Sequence, residues 1–247
     1  MRKILLCILS VMVVIGLTAC GNQKEENKVS DNNDNTKIIT NDNQNQSLET
    51  NDLTDEEKYE GMINDYKNAI AEYSLEDIDS DAKLEQKYSL VNLSLIMHIA
   101  RYSSKGVKLT YAFYDVNKDG TDELLVGADN ACGAIYSYNK NSNQVVKIHF
   151  LDTMERGNLS IYDNGVILTD GSGGAALHYY EYGRISQDTI SYEVLESVVE
   201  EYVDGNEIPE YRKYDTEEVL DYKSLTEISE QYVSDAKVIE NINFVEM

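Results

Sequence analysis

Along this chain the spacing of apolar positions changes more than once, and each change marks a different kind of element. Tyr59, Met62, Ile63, Tyr66, Ile70 and Tyr73 recur at three- and four-residue steps, the stripe of a helix that buries one face. Thr54-Asp55-Glu56-Glu57 stands at its start and reads as a Thr-x-x-Glu capping box. Leu84, Tyr88, Val91, Leu95, Ile99 and Tyr102 form a second stripe, widened by Ile96 and Met97, and predict one helix over 80–102. His98 lies at the edge of that stripe and reads as a partnered boundary residue.

After Gly106 the period drops from 3.6 to 2, in runs rich in Tyr, Val, Ile and Thr. The runs predict strands over 107–114, 123–128, 134–138, 145–151, 159–162, 166–169, 176–182, 189–202 and 207–214. The run over 189–202 is ambiguous, because Val194, Leu195, Val198 and Val199 also suit a helix. Turn chemistry joins the runs at 139–143, at Asp163-Asn164-Gly165 and at Asp204-Gly205-Asn206. Asn-Gly tolerates positive φ at both positions, so consecutive hairpins and an antiparallel meander follow. A last helix is expected over 216–233, with a break near 222–224 and a second capping box at Ser224-Leu225-Thr226-Glu227. Imperfect alternation over 237–244 predicts a closing edge strand. The fold class is therefore α+β: N-terminal helices, a central antiparallel β-meander and a C-terminal helix in a single ectodomain over 54–247. Its length suffices for one packed core. No period of 20–50 residues recurs, which disfavours a solenoid or a full propeller.

The first 53 residues follow other rules. Arg2 and Lys3 precede an apolar run from Ile4 to Leu17, the layout of a secretory signal and too short to span a bilayer core. Leu17-Thr18-Ala19-Cys20 closes it and resembles the lipobox of bacterial lipoproteins. That resemblance implies a signal peptide over 1–19, a Cys20 carrying acyl chains such as palmitate, and a protein held at the cell membrane facing the extracytoplasmic side. Residues 20–53 are Asn, Asp, Gln, Lys and Thr with few apolar residues. Such a stretch buries too little to offset its ordering entropy and reads as a disordered tether.

Charge narrows the partners. The chain has 21 basic and 45 acidic residues and a net charge of −24, and loss of Arg2 and Lys3 with the leader makes it more acidic still. A surface of this sign repels phosphate backbones and anionic headgroups. Nucleic acid is thus not an expected partner, and the membrane is reached only through the N-terminal lipid. Of three cysteines, Cys7 leaves with the leader and Cys20 is acylated, so Cys132 stands alone and no internal disulfide holds the fold.

One short segment has the spacing of a metal loop. In 115–123, Asp115, Asn117, Asp119 and Glu123 place side-chain oxygens at positions 1, 3, 5 and 9, with Gly120 at 6 and the Thr121 carbonyl at 7. Calcium takes six to eight oxygens, and alternate residues of a tight loop aim theirs at one centre. An EF-hand would need a bidentate glutamate where Val126 stands, and flanking helices where 111–114 and 124–126 read as strands. Asp115-Val116-Asn117-Lys118-Asp119-Gly120 followed by Glu123-Leu124-Leu125-Val126-Gly127 instead resembles the DxDxDGxxE/D-L loop of FG-GAP and VCBS-type repeats of extracellular proteins. The resemblance implies one calcium ion between strands. It covers about seventeen residues once, whereas those families repeat it around a propeller.

Enzyme signatures are absent from the sequence. Gly171-Ser172-Gly173-Gly174 lacks the order of a nucleophile elbow and reads as a turn. No H-E-x-x-H or C-x-x-C occurs. A thiol–imidazole pair of Cys132 with His149 or His178 has no local support. Tyrosine is abundant, with 19 residues against 3 Phe and no Trp. In Tyr179-Tyr180-Glu181-Tyr182 alternate rings must take opposite faces, which makes Tyr179, Tyr180 and Tyr182 candidates for a ligand surface. Two function classes follow: a non-enzymatic, calcium-stabilised binding module with a protein or glycan ligand, and an envelope hydrolase assembled from distant residues.

Overall fold

The computed structural model describes residues 53–187, 190–203, 208–216, 218–222 and 224–247. The expected signal, Cys20 and most of the tether lie outside them, as does the turn at Asp204-Gly205-Asn206.

Helix α1 (Asp55–Glu72) starts where the capping box predicts, with Thr54 accepting from the Glu57 amide and the Glu57 side chain accepting from the Thr54 amide. The expected helix over 80–102 is two helices, α2 (Ser80–Lys87) and α3 (Leu93–Tyr102). Asn92 is the reason for the break. Its Oδ1 accepts from the Leu95 amide, and its Nδ2 donates to the carbonyls of Gly133 and Leu151 at 2.8 and 3.1 Å. A buried side chain that caps one helix and ties a strand to the residue that follows another holds its own backbone extended, and the apolar stripe does not report that.

Among the described residues ten strands follow, in two antiparallel sheets. The first comprises β1 (Leu109–Tyr114), β2 (Glu123–Ala128), β3 (Ala131–Asn139) and β4 (Gln144–Phe150), with the closing β10 (Val245–Glu246) beside β1. The second comprises β5 (Gly157–Ile161), β6 (Val166–Gly174), β7 (Leu177–Ile185), β8 (Tyr192–Glu201) and β9 (Glu210–Lys213), in that order. The meander is thus interrupted between β4 and β5, and each half is its own sheet. Two segments depart from the strand reading and one, over 192–201, bears it out. Gly171-Ser172-Gly173-Gly174 is the end of β6 rather than a turn, paired to β7 through Gly174 opposite Leu177. The segment over 192–201 is strand, its register against β7 carrying alternate residues to opposite faces. The closing strand is β10, while 237–244 contributes a single bridge, Tyr162 with Val238. The C-terminal helix shortens to α4 (Leu225–Val233), capped by the Ser224 hydroxyl.

The expected single core is three apolar layers. Tyr59, Tyr66, Leu95, Ile96, Leu124, Val126 and Tyr136 fill the layer between the N-terminal helices and the first sheet. Leu125, Ile135, Ile148, Leu159, Ile161 and Ile167 fill the space between the sheets. Val166, Tyr182, Val198, Tyr211 and Ile228 lie between the second sheet and α4. The order helix, sheet, sheet, helix covers the first sheet on both faces, so β2 is buried at every position. Within the first layer the Tyr66 and Tyr136 hydroxyls meet at 2.8 Å, and the Asn92 amide donates to Tyr66. Such a satisfied network specifies how helices and sheet dock.

Candidate functional site

The loop between β1 and β2 curls around its own amides. Asp115 accepts from the amides of Asp119 and Gly120 at 3.1 and 2.9 Å, and Asn117 Oδ1 accepts from the Asp119 amide at 3.1 Å. Asp119 in turn accepts from the Thr121 amide at 2.8 Å. Lys118 and Gly120 both take positive φ, 59° and 83°, and glycine at the second keeps the turn unstrained. The loop is anchored from three sides. Val116 is buried between the sheets, the Tyr59 hydroxyl of α1 donates to the Asp122 carbonyl, and Gln187 beyond β7 donates to the Asn117 carbonyl.

Glu123 occupies a different setting from the other acids. It is fully buried, with Oε2 accepting from the Val116 amide at 2.9 Å and Oε1 from the Ser137 hydroxyl at 3.1 Å. Burial, reinforced by the charges of Asp119 and Asp115, pushes its carboxyl up to about 7. Among the described residues no three His, Cys, Asp or Glu side chains converge as a metal-holding group. The loop instead offers a mixed oxygen set: the carboxylates of Asp115 and Asp119, the amide oxygen of Asn117 and the Thr121 carbonyl. Glu123 lies behind it, each carboxylate oxygen retaining a lone pair beyond its hydrogen bond. All-oxygen donors on a tight glycine turn fit a hard cation of calcium's size. These residues would hold it, and the chemistry supplied would be charge neutralisation rather than catalysis.

The tyrosines divide as the strand period requires. Tyr182 is 0% exposed, stacks on Tyr232 at 5.1 Å and meets the Ser229 hydroxyl at 2.9 Å beneath α4. It is core and leaves the candidate ligand surface, because the face it shares with Tyr180 is the one α4 covers. The Tyr180 hydroxyl donates to Glu200, whose other oxygen accepts from Tyr211. Tyr179 takes the opposite face, edge-on to Tyr214 at 5.7 Å.

That face carries a cleft of about 690 Å³ between the β4 end of the first sheet and the inner face of the second. Thr169, Gly171, Tyr179, Glu181, Tyr192 and Tyr214 line it, opposite His149 and Asp152. The His149 ring stacks on Tyr192 at 4.3 Å, and its Nε2 meets the Thr169 hydroxyl at 2.8 Å. Desolvation holds this imidazole down at about 4, with Lys147 adding to the effect and Asp152 opposing it. Desolvation also raises the Glu181 carboxyl, with Asp152 adding to it and Tyr192 opposing. Tyr192 lies across Gly183, where a Cβ would stand 2.3 Å from its ring. His149, Thr169, Glu181 and Tyr192 were not singled out as a site from the sequence. Nothing local marks them, since they come from four strands and meet only through sheet packing.

Cys132 is the structural residue its setting in a strand suggests. It is buried between the sheets, donates to the Ala134 carbonyl, and burial pushes its thiol up to about 12. The Ser172 hydroxyl donates to the Gly174 carbonyl within its own strand end. No helix among the described residues is long and apolar enough to cross a membrane. Comparison of the chain with protein-family models, curated proteins and solved structures finds no match.

Proposed function

We propose that this protein is a lipid-anchored bacterial surface module that works by binding, with its sheets braced by one calcium ion in the 115–123 loop. The observation that carries the binding reading is the open, aromatic-walled cleft on the inner face of the second sheet, bordered by Tyr179 and Tyr214. Tyrosines add amphipathic area at low entropic cost, the property that enriches them at recognition surfaces. A lipid on Cys20 followed by a polar tether is the arrangement that presents such a cleft to ligands at the envelope. Calcium would act on stability, since the loop touches α1, both sheets and the segment beyond β7.

One contact favours a second reading, an envelope hydrolase. Thr169 and His149 are within hydrogen-bond reach, with Asp152 in electrostatic range of the imidazole, the outline of a nucleophile and its base. An imidazole held near 4 and stacked on Tyr192 is a poor base at neutral pH, so binding is the stronger reading.

Two measurements test the proposal. Metabolic labelling with a fatty-acid analogue should mark the wild type and not Cys20→Ala; equal label on both removes the anchor. Purified protein from Cys20 onward, made without its leader and so not acylated, should be retained saturably by envelope preparations, and Tyr179→Ser with Tyr214→Ser should abolish that retention. Turnover of envelope glycans or peptides that disappears in Thr169→Ala would replace binding with hydrolysis.

A further inference from the structure

We propose that the cleft between β4 and the inner face of the second sheet takes a small organic cation, an amine carried on a short apolar chain. This rests on the binding reading above and names its ligand class. Two aromatic pairs face the space: His149 stacked on Tyr192, and Tyr179 edge-on to Tyr214. Tyr214 stands 62% exposed at the mouth, which leaves a ring free to meet an incoming group. Gly157 and Gly171 are cross-strand partners in the lining and contribute no side chains, so the space continues down to the backbone there.

The charges in the lining decide the sign of the ligand. Glu181 projects from β7 on the face it shares with Tyr179, and Asp152 lies within electrostatic range of both Glu181 and His149. Neither carboxylate belongs to an ion pair among the described residues. Among the described residues the one cationic side chain in the lining, Lys147, has its Nζ over the Phe150 ring at 4.8 Å. A half-buried carboxylate with no cation beside it attracts positive charge from solution, and the chain's net charge of −24 deepens that potential. An anionic ligand would meet repulsion from these acids and from Asp170, a third carboxylate in the lining. A neutral sugar would stack on the rings and leave the acids uncompensated. An amine answers both features, through ion pairing to Glu181 and Asp152 and through cation–π contact with tyrosine faces, while its methylenes cover the rings.

The test is calorimetric titration of the full chain, with chelator present so that loop-bound calcium plays no part. The probes are cadaverine, its neutral isostere pentanediol, and a neutral oligosaccharide. Tyrosine emission gives a second readout, because the chain has no tryptophan. Cadaverine should bind saturably and pentanediol should not. Glu181→Gln should weaken cadaverine about tenfold or more, Asp152→Asn should weaken it less, and added salt should weaken it in the wild type. Glu181→Gln keeps side-chain shape, and Asp152 is exposed outside the strands, so unchanged melting curves for both isolate binding from folding. Equal affinity for the amine and the diol, or unchanged affinity in both variants, overturns the cation. Oligosaccharide binding that Tyr179→Ala abolishes, without amine binding, overturns the cation and leaves the binding module standing. Retention of the unacylated protein by envelopes that Tyr179→Ser and Tyr214→Ser do not affect overturns the module itself.

Discussion

Acidification from pH 7 to pH 4 should remove the contribution that one side chain, His149, makes to the stability of this fold. In the unfolded chain its imidazole titrates near 6.5, and in the folded protein near 4. Between those values the unfolded state holds a proton that the folded state does not. The His149 contribution to stability therefore falls as the pH falls through that window, is full above about 6.5 and is lost below about 4, while Glu123, near 7 in the fold against 4.5 unfolded, contributes with the opposite sign over the same range. The displacement corresponds to about 3 kcal/mol at most, a large share of the ~5–15 kcal/mol typical of a domain. Desolvation between the sheets is the main cause, with Lys147 adding to it and Asp152 opposing it.

The assay is urea unfolding at half-unit steps from pH 4 to pH 7 on wild type and His149→Gln. Loss of the ring stack on Tyr192 shifts the variant by about 0.5–1.5 kcal/mol at every pH, so the informative quantity is how the difference changes. Glu181 and Glu123 also titrate abnormally, but they are present in both proteins and largely cancel. The variant should be less stable at pH 7, and the gap should close or invert by pH 4. A difference that stays constant across the range refutes the reasoning, as does an NMR titration of His149 centred near 6.5.

Three further outcomes follow from particular contacts. Gly183→Ala should cost about 2 kcal/mol or more, because its Cβ would stand 2.3 Å from the Tyr192 ring; urea midpoints should show the cost shrinking in a Tyr192→Ala background. Tyr66→Phe should cost about 1–3 kcal/mol by stranding the buried Asn92 amide, and a thermal melt that does not move would count against the network. Calorimetry on chelator-stripped protein should find one calcium bound, and none after Asp115→Ala or Asp119→Ala; with a Kd of about 10⁻⁴ M and about 10⁻³ M calcium, occupancy adds about 1.4 kcal/mol of stability.

How much of this was legible in the sequence depends on the range of the interaction involved. The start of α1 was readable at Thr54–Glu57 because a capping box closes within three residues. The strands and the loop at 115–123 were readable for the same reason, since period, turn chemistry and oxygen spacing are local. The break at Tyr88–Asn92 was not, because Asn92 is held by Gly133 and Leu151, 41 and 59 positions away. Nor was the burial of Tyr182: alternation shows that Tyr179 and Tyr182 part company, but not which face α4 covers. The short α4 and the closing β10 likewise depend on partners elsewhere in the chain, Ile228 on the second sheet and Val245 on β1.

By itself the sequence determined the α+β class, the hairpin order and the lipobox resemblance, and it placed hard oxygens where a cation would sit. Only the tertiary structure decided that the strands form two sheets with three apolar layers, and that His149, Thr169, Glu181 and Tyr192 share one cleft. The physical reason is separation along the chain. Periodicity and turns record what a residue's neighbours require of it. Which face is covered, and which acids go without a cation, depends on surfaces that meet only once the sheets have packed.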